Sequence, residues 1–165
     1  MPPLLKFCTW LYATPFGTAI RESNYAFPLI ETVHTLGIMV LVGTIVVVDL
    51  RLLGLVLRDA PVSRLYRQVI PWTWGGFAVM FISGLLLFAS EARDNYFNTF
   101  FRIKLLLLIL VALNPLIFHA TTYRTVSTWD VANITPRRAR LAAISSLCLW
   151  GGIIVTGRLI AYAHN

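Results

Sequence analysis

Charge is what this sequence lacks most. Only 13% of its 165 residues are Asp, Glu, Lys or Arg, about half the share that a soluble domain uses to cover its surface. With 58% hydrophobic residues and a mean hydropathy of +0.74, most of that surface must face lipid. A soluble enzyme and a DNA-binding domain are excluded. Cysteine is scarce too: Cys8 and Cys148 lie far apart, and such a pair implies neither a disulfide framework nor a thiolate metal site. No Asp/Glu pair or Ser-His-Asp set suggests hydrolysis, no phosphate loop appears and no cluster of carboxylates suggests a divalent-ion path, so those classes are disfavoured. The net charge of +7 would point to nucleic acid in a soluble chain, but in a membrane chain it records topology.

What the chain has instead is long apolar runs. A spanning helix needs roughly 20 mostly apolar residues to cross about 30 Å of hydrocarbon, and four segments qualify: Ala26 to Leu50, Gln68 to Ser90, Asn98 to Tyr123 and Leu141 to Tyr162. Short polar connections separate them, as antiparallel neighbours require. The expected fold is all-α, a single membrane domain over residues 1–165 forming a four-helix up-down bundle. The first and third connections carry Arg51, Arg58, Arg64, Arg67, Arg124, Arg137, Arg138 and Arg140, whereas the second has only Arg93. This asymmetry predicts that the first and third connections are cytoplasmic, with both termini on the outer side.

Residues 1–24 form a separate stretch. A single Lys, the aromatics Trp10 and Tyr12, and no small-residue cleavage site argue against a signal peptide. The segment reads as one or two short amphipathic helices on the outer interface, with Pro15 opening the second. The apolar residues Leu4, Leu5, Phe7, Trp10 and Leu11 are expected to lie on the outer edge of the bundle, shielding what lies beneath and offering a docking surface.

Ionisable side chains inside a span cost roughly 2.5 to 3.5 kcal/mol each on insertion scales, so each needs a partner or a role. Counting rise from the outer boundary, His34 lies about 12 Å deep and Lys104 about 9 Å deep, with Arg158 slightly shallower and Met80 slightly deeper. Arg102 shares that half. His119 falls nearly 20 Å from the level of His34, too far for the two imidazoles to ligate one iron. Blander roles compete at every position. A histidine in a span can simply hydrogen-bond a neighbouring helix, Arg102 and Lys104 can snorkel to phosphates, and Met80 can be packing. Asp49 and Arg51 read as a cap or interface pair, and His164 as solvated tail. Glycines 37, 43, 75, 76, 84, 151, 152 and 157 suit either close helix contact or a flat ligand.

The stretch Glu31-Thr32-Val33-His34-Thr35-Leu36-Gly37, with Gly43 and Asp49-Leu50-Arg51-Leu52-Leu53-Gly54, resembles the first helix of small bacterial four-helix membrane families: the families of unknown function around the copper-resistance D type, and the four-helix protoporphyrinogen oxidases. Ser83-Gly84-Leu85-Leu86-Leu87 and Arg102-Ile103-Lys104-Leu105-Leu106 continue the likeness. An uncharacterised sister family with an aromatic amphipathic opening and a stretch like Ile20-Arg21-Glu22-Ser23 is the expected relative. The oxidase resemblance implies haem b, with His34 and Lys104 as iron ligand and companion, and a multi-pass protein of the bacterial inner membrane. His119 and the aromatic opening have no counterpart there.

The residue inventory is compatible with the same cofactor. An inward imidazole, glycines where a macrocycle would lie and cations near the interface make a coherent haem pocket, and Arg102 and Arg158 suit propionates through paired hydrogen bonds. The expected function is electron transfer between a membrane quinol or periplasmic redox partner and haem b, with His34 as axial ligand. Two other classes are direct oxidation of a porphyrin or quinol, and a non-redox accessory or scaffold subunit of a larger membrane complex. The glycine-lined faces also permit a homo-oligomer.

Overall fold

The computed structural model describes residues 2–130 and 135–162; His164 lies outside the described residues. Every regular element among them is helical. Two short helices, α1 (Pro3–Tyr12) and α2 (Pro15–Glu22), precede the long α3 (Ala26–Leu52) and α4 (Val62–Ser90). A short α5 (Ala92–Phe97) leads into α6 (Thr99–Thr121). After a tight turn at Tyr123–Thr125 come the one-turn α7 (Val126–Trp129) and the long α8 (Arg137–Ile160). Proline at the first turn opens α1 and α2, where the missing N–H costs nothing. The Thr14 and Asn98 side chains cap α2 and α6.

Four helices are long and apolar enough to cross a membrane. α4 begins six residues and α8 four residues before the expected starts, immediately after Pro61 and Pro136. Arginine is a good helix former, so the basic residues before each apolar run join the helix rather than the loop. The helices α5 and α7 occupy connections expected to be loops. Two ends follow from this layout: a basic end holding the connections after α3 and α6, and an N-terminal end holding α1, α2 and α5.

Apolar side chains gain little by leaving lipid for one another, so helix association here depends on close backbone contact and polar clasps. α3 and α4 run antiparallel and meet through glycine. A Cβ on Gly76 would lie 2.7 Å from the Leu41 amide nitrogen, and one on Gly37 would lie 2.9 Å from that of Met80. Neighbouring Gly75, like Gly43, faces open space. α6 and α8 form a second antiparallel pair, fastened by the Asn114 amide donating to the Ala142 carbonyl at 2.9 Å. Leu41, Val111, Trp150 and Ile153 join α3, α6 and α8 in one core cluster. α4 and α6 meet through aromatic rings near their ends, Phe88 on Phe101 at 5.6 Å and Tyr66 on His119 at 5.2 Å.

The basic end is tied by polar contacts. Asp130 caps α4 from the far side of the chain: its carboxylate accepts from the Ser63 amide and hydroxyl, and its carbonyl accepts from the Val62 amide. Beneath it Leu52, Val62, Phe118, Trp129, Ala139 and Ala143 form a second core cluster. Arg51, 3% exposed, donates from Nε to the Ala60 carbonyl at 2.9 Å, while Asp49, 6% exposed, faces Ser146 of α8. They are not a pair with each other, because residues two apart on a helix point to different sides.

At the N-terminal end, Arg21 donates to the Ser90 and Tyr12 carbonyls and stacks 3.8 Å over the Tyr12 ring, docking α1 and α2 on the end of α4. Cys8 and Ala92 are covered where α1 meets α5. The apolar residues of α1 are split, contrary to the expectation of one covering face: Leu5 and Leu11 are half-buried beside Cys8, whereas Leu4, Phe7 and Trp10 point away from the protein. Positions 4, 7 and 10 recur at about one turn each and so share the opposite stripe.

Two tests follow. Gly76→Ala should destabilise the protein by about 1 to 3 kcal/mol, because backbone and not a movable side chain blocks the methyl. Gly75→Ala should be neutral or better; denaturation by SDS, followed by circular dichroism, separates the two. The second concerns pH. Burial alone would raise the Asp130 carboxyl, but the Ser63 hydroxyl and amide, aided by the Arg51 charge, hold it below the ordinary carboxylate range. Its stabilisation is therefore fully present above the ordinary carboxylate value and lost as pH falls through the lower folded-state value. Asp130→Ala should cost about 1 kcal/mol at neutral pH, as loss of a helix cap does, and the two unfolding midpoints should converge in acid.

Candidate functional site

The close contact of α3 and α4 at Gly37 and Gly76 places His34 against α4. Its Nδ1 lies 3.0 Å from the Met80 carbonyl oxygen and 3.0 Å from Ser83 Oγ. The ring rests on Gly84, where a Cβ would come within 3.1 Å of Cε1. A carbonyl oxygen can only accept, and the Ser83 hydroxyl already donates to the Val79 carbonyl, so Nδ1 must carry the hydrogen and share it between the two oxygens. That fixes the tautomer and leaves the Nε2 lone pair free of any hydrogen bond among the described residues.

Lys104 of α6 is half-buried and reaches toward α8, its Nζ 3.6 Å from where a Cβ on Gly157 would lie. It is close enough for its charge to act on the His34 ring, as is Glu31 one turn before it. Each of the four long helices thus contributes at one level: His34, Ser83 with Gly84, Lys104 and Gly157. Glycine at 84 provides the room that the imidazole occupies, whereas a Cβ at 157 would lie in ordinary contact with the Lys104 side chain.

The other sequence candidates fall elsewhere. Met80 contributes its carbonyl to His34, while its side chain packs on the central core cluster. Arg102 is exposed and donates through Nε and Nη2 to the Tyr96 carbonyl at 3.2 and 2.9 Å. Arg158, also exposed, donates to the Tyr162 hydroxyl at 2.8 Å. His119 sits at the basic end between the rings of Tyr66 and Tyr123. The orienting role of Ser83 was not evident from sequence, although its spacing of three residues after Met80 puts both on one helical face. A depression of about 320 Å³ beside Glu31, Thr32, Thr35, Leu36 and Met39 is lined by α3 alone and encloses nothing.

The donor set limits the chemistry. Among the described residues no group of three or more His, Cys, Asp or Glu side chains could hold a metal ion, so a bare transition metal lacks its ligands here. A haem brings four nitrogens of its own and needs one axial imidazole, which a free Nε2 can supply. With the protein free of added haem, ¹⁵N spectra of histidine-labelled protein in lipid nanodiscs should show His34 as the Nδ1–H tautomer. The Nε2–H form would contradict the hydrogen-bond assignment.

No curated protein and no solved structure matches the chain. A family model, described only as a family of unknown function, matches residues 18–163, all four long helices included. The chain belongs to that family, DUF6644.

Proposed function

We propose that this protein is a haem b-binding electron-transfer protein of the bacterial inner membrane. The observation that supports it best is the orientation of His34: Nδ1 is held by Met80 and Ser83, so Nε2 can take the axial position on iron. Bound haem would supply a one-electron carrier. Lys104 is the cation nearest that level and would pair with a propionate. Arg102 and Arg158 can serve the propionates only by leaving Tyr96 and Tyr162. In this reading the four long helices form an up-down bundle with the arginine-rich connections in the cytoplasm. The helices α1 and α2 lie along the periplasmic interface, with Leu4, Phe7 and Trp10 in the lipid boundary. A membrane quinol or a periplasmic redox protein would be its redox partner. The likeness to four-helix protoporphyrinogen oxidases supports the same ligand and makes direct oxidation of a porphyrin or quinol the alternative chemistry.

A non-redox accessory subunit is the second reading. It is favoured by the fact that the His34 hydrogen bonds also clasp α3 to α4, a job that needs no cofactor.

The test is the absorption spectrum of detergent-purified protein from haem-replete cells. A Soret band is expected for wild type, its loss for His34→Ala, and a shifted band or weaker haem retention for Lys104→Met. A colourless wild type overturns the haem reading in favour of the accessory role, and a Soret band unchanged in His34→Ala removes the ligand assignment. Turnover of protoporphyrinogen would favour the oxidase over the electron carrier.

A further inference from the structure

Three aromatic side chains meet at the basic end where α4 and α6 face each other. The Tyr66 ring lies 5.2 Å from His119 and 5.0 Å from Tyr123, and His119 lies 4.8 Å from Tyr123. His119 Nδ1 lies 3.0 Å from the Pro115 carbonyl oxygen, which can only accept, so Nε2 carries the open lone pair. The two phenols are close enough to act on each other electrostatically. Among the described residues, neither phenol oxygen nor His119 Nε2 has a hydrogen-bond partner. All three side chains are half-buried. The three polar atoms are open to the surroundings, and with the rings in mutual contact they offer two donors and one acceptor at one place.

We propose that Tyr66, Tyr123 and His119 form a binding site for the head group of a membrane quinone. Its flat ring suits an aromatic wall, its carbonyl oxygens accept from the phenols, and a hydroxyl of its reduced form donates to His119 Nε2. The isoprenoid tail has an apolar path along α6, where Ile109, Leu113 and Leu116 are exposed. The open groups are phenol and imidazole, with no Lys or Arg among them, which favours a carbonyl head group over a phosphate. Arg67 and Arg124 are exposed at the same end, and a phospholipid would use them. The choice of a quinone among flat amphiphiles rests on the electron-transfer reading; the site itself rests on the three rings. Along α6 it lies about 22 Å from the level of Lys104, so the two sites can be tested separately.

The experiment titrates full-length protein in detergent with decylubiquinone and measures saturable binding. Binding is expected to weaken about tenfold in the Tyr66→Phe, Tyr123→Phe double variant, which keeps both rings and loses both hydroxyls. It should weaken similarly in His119→Leu. Absence of saturable binding to wild type overturns the proposal, and so does unchanged binding in the double Phe variant. Displacement of the quinone by phosphatidylglycerol, with sensitivity to Arg124→Ala in place of the Phe substitutions, assigns the site to phospholipid and overturns it too. A haem-free wild type that still binds the quinone through these residues supports this site and overturns the haem reading.

Discussion

Lipid solvates apolar side chains as well as a protein core does, so the arrangement of this chain depends on the few places where backbones touch. Gly76 against Leu41, with Gly37 against Met80, is the closest such approach. It does more than join two helices. Only at that separation can an imidazole on α3 reach the Met80 carbonyl of α4, and only because position 84 is also glycine does the ring edge fit against the helix. The contact that holds the pair together therefore sets the tautomer of the histidine. Packing and site chemistry are one feature on α3 and α4.

The four apolar runs were legible in the sequence because lipid imposes a length and a composition that no other environment does. The common level of His34 and Lys104 could also be read, since rise per residue converts position into depth once a boundary is set. Which glycine makes contact could not: Gly75 and Gly76 are adjacent, and 100° of rotation separates open space from a backbone. Nor could the Asp130 cap, which joins residues 67 positions apart and leaves no local capping pattern before α4. Arg102 and Arg158 looked like propionate ligands by charge and depth, yet each reaches a partner just beyond its own helix, Tyr96 of α5 and Tyr162 after α8. Near a helix end a long flexible side chain finds such a partner more easily than it enters the bundle.

The two helix pairs are unequal in what surrounds them. α3 and α4 are locked backbone to backbone, while α6 has few buried side chains, only Val111 and Phe118. Its seam with α4 is bridged by rings at either end, Phe88 with Phe101 and Tyr66 with His119. A flat molecule can enter such a seam from the bilayer without parting a glycine contact, because rotating a side chain costs far less than separating two packed backbones.

Charge gives the last step. Lys104 lies half-buried within a span, and its Nζ has no hydrogen-bonding partner among the described residues. Holding an ammonium there costs a few kcal/mol on insertion scales, which His34 does not offset, because its inward hydrogen already goes to α4. Glu31 is the nearest acidic influence on that level, and it sits exposed on the flank of α3. The site sets the Lys104 amine and an open imidazole lone pair at one level. In the proposed reading, the carboxylates of haem would offset the ammonium and its metal would take the lone pair. A purely structural clasp between α3 and α4 needs His34 and leaves Lys104 uninvolved. Lys104 therefore discriminates between an occupied site and a packing contact more sharply than the histidine does.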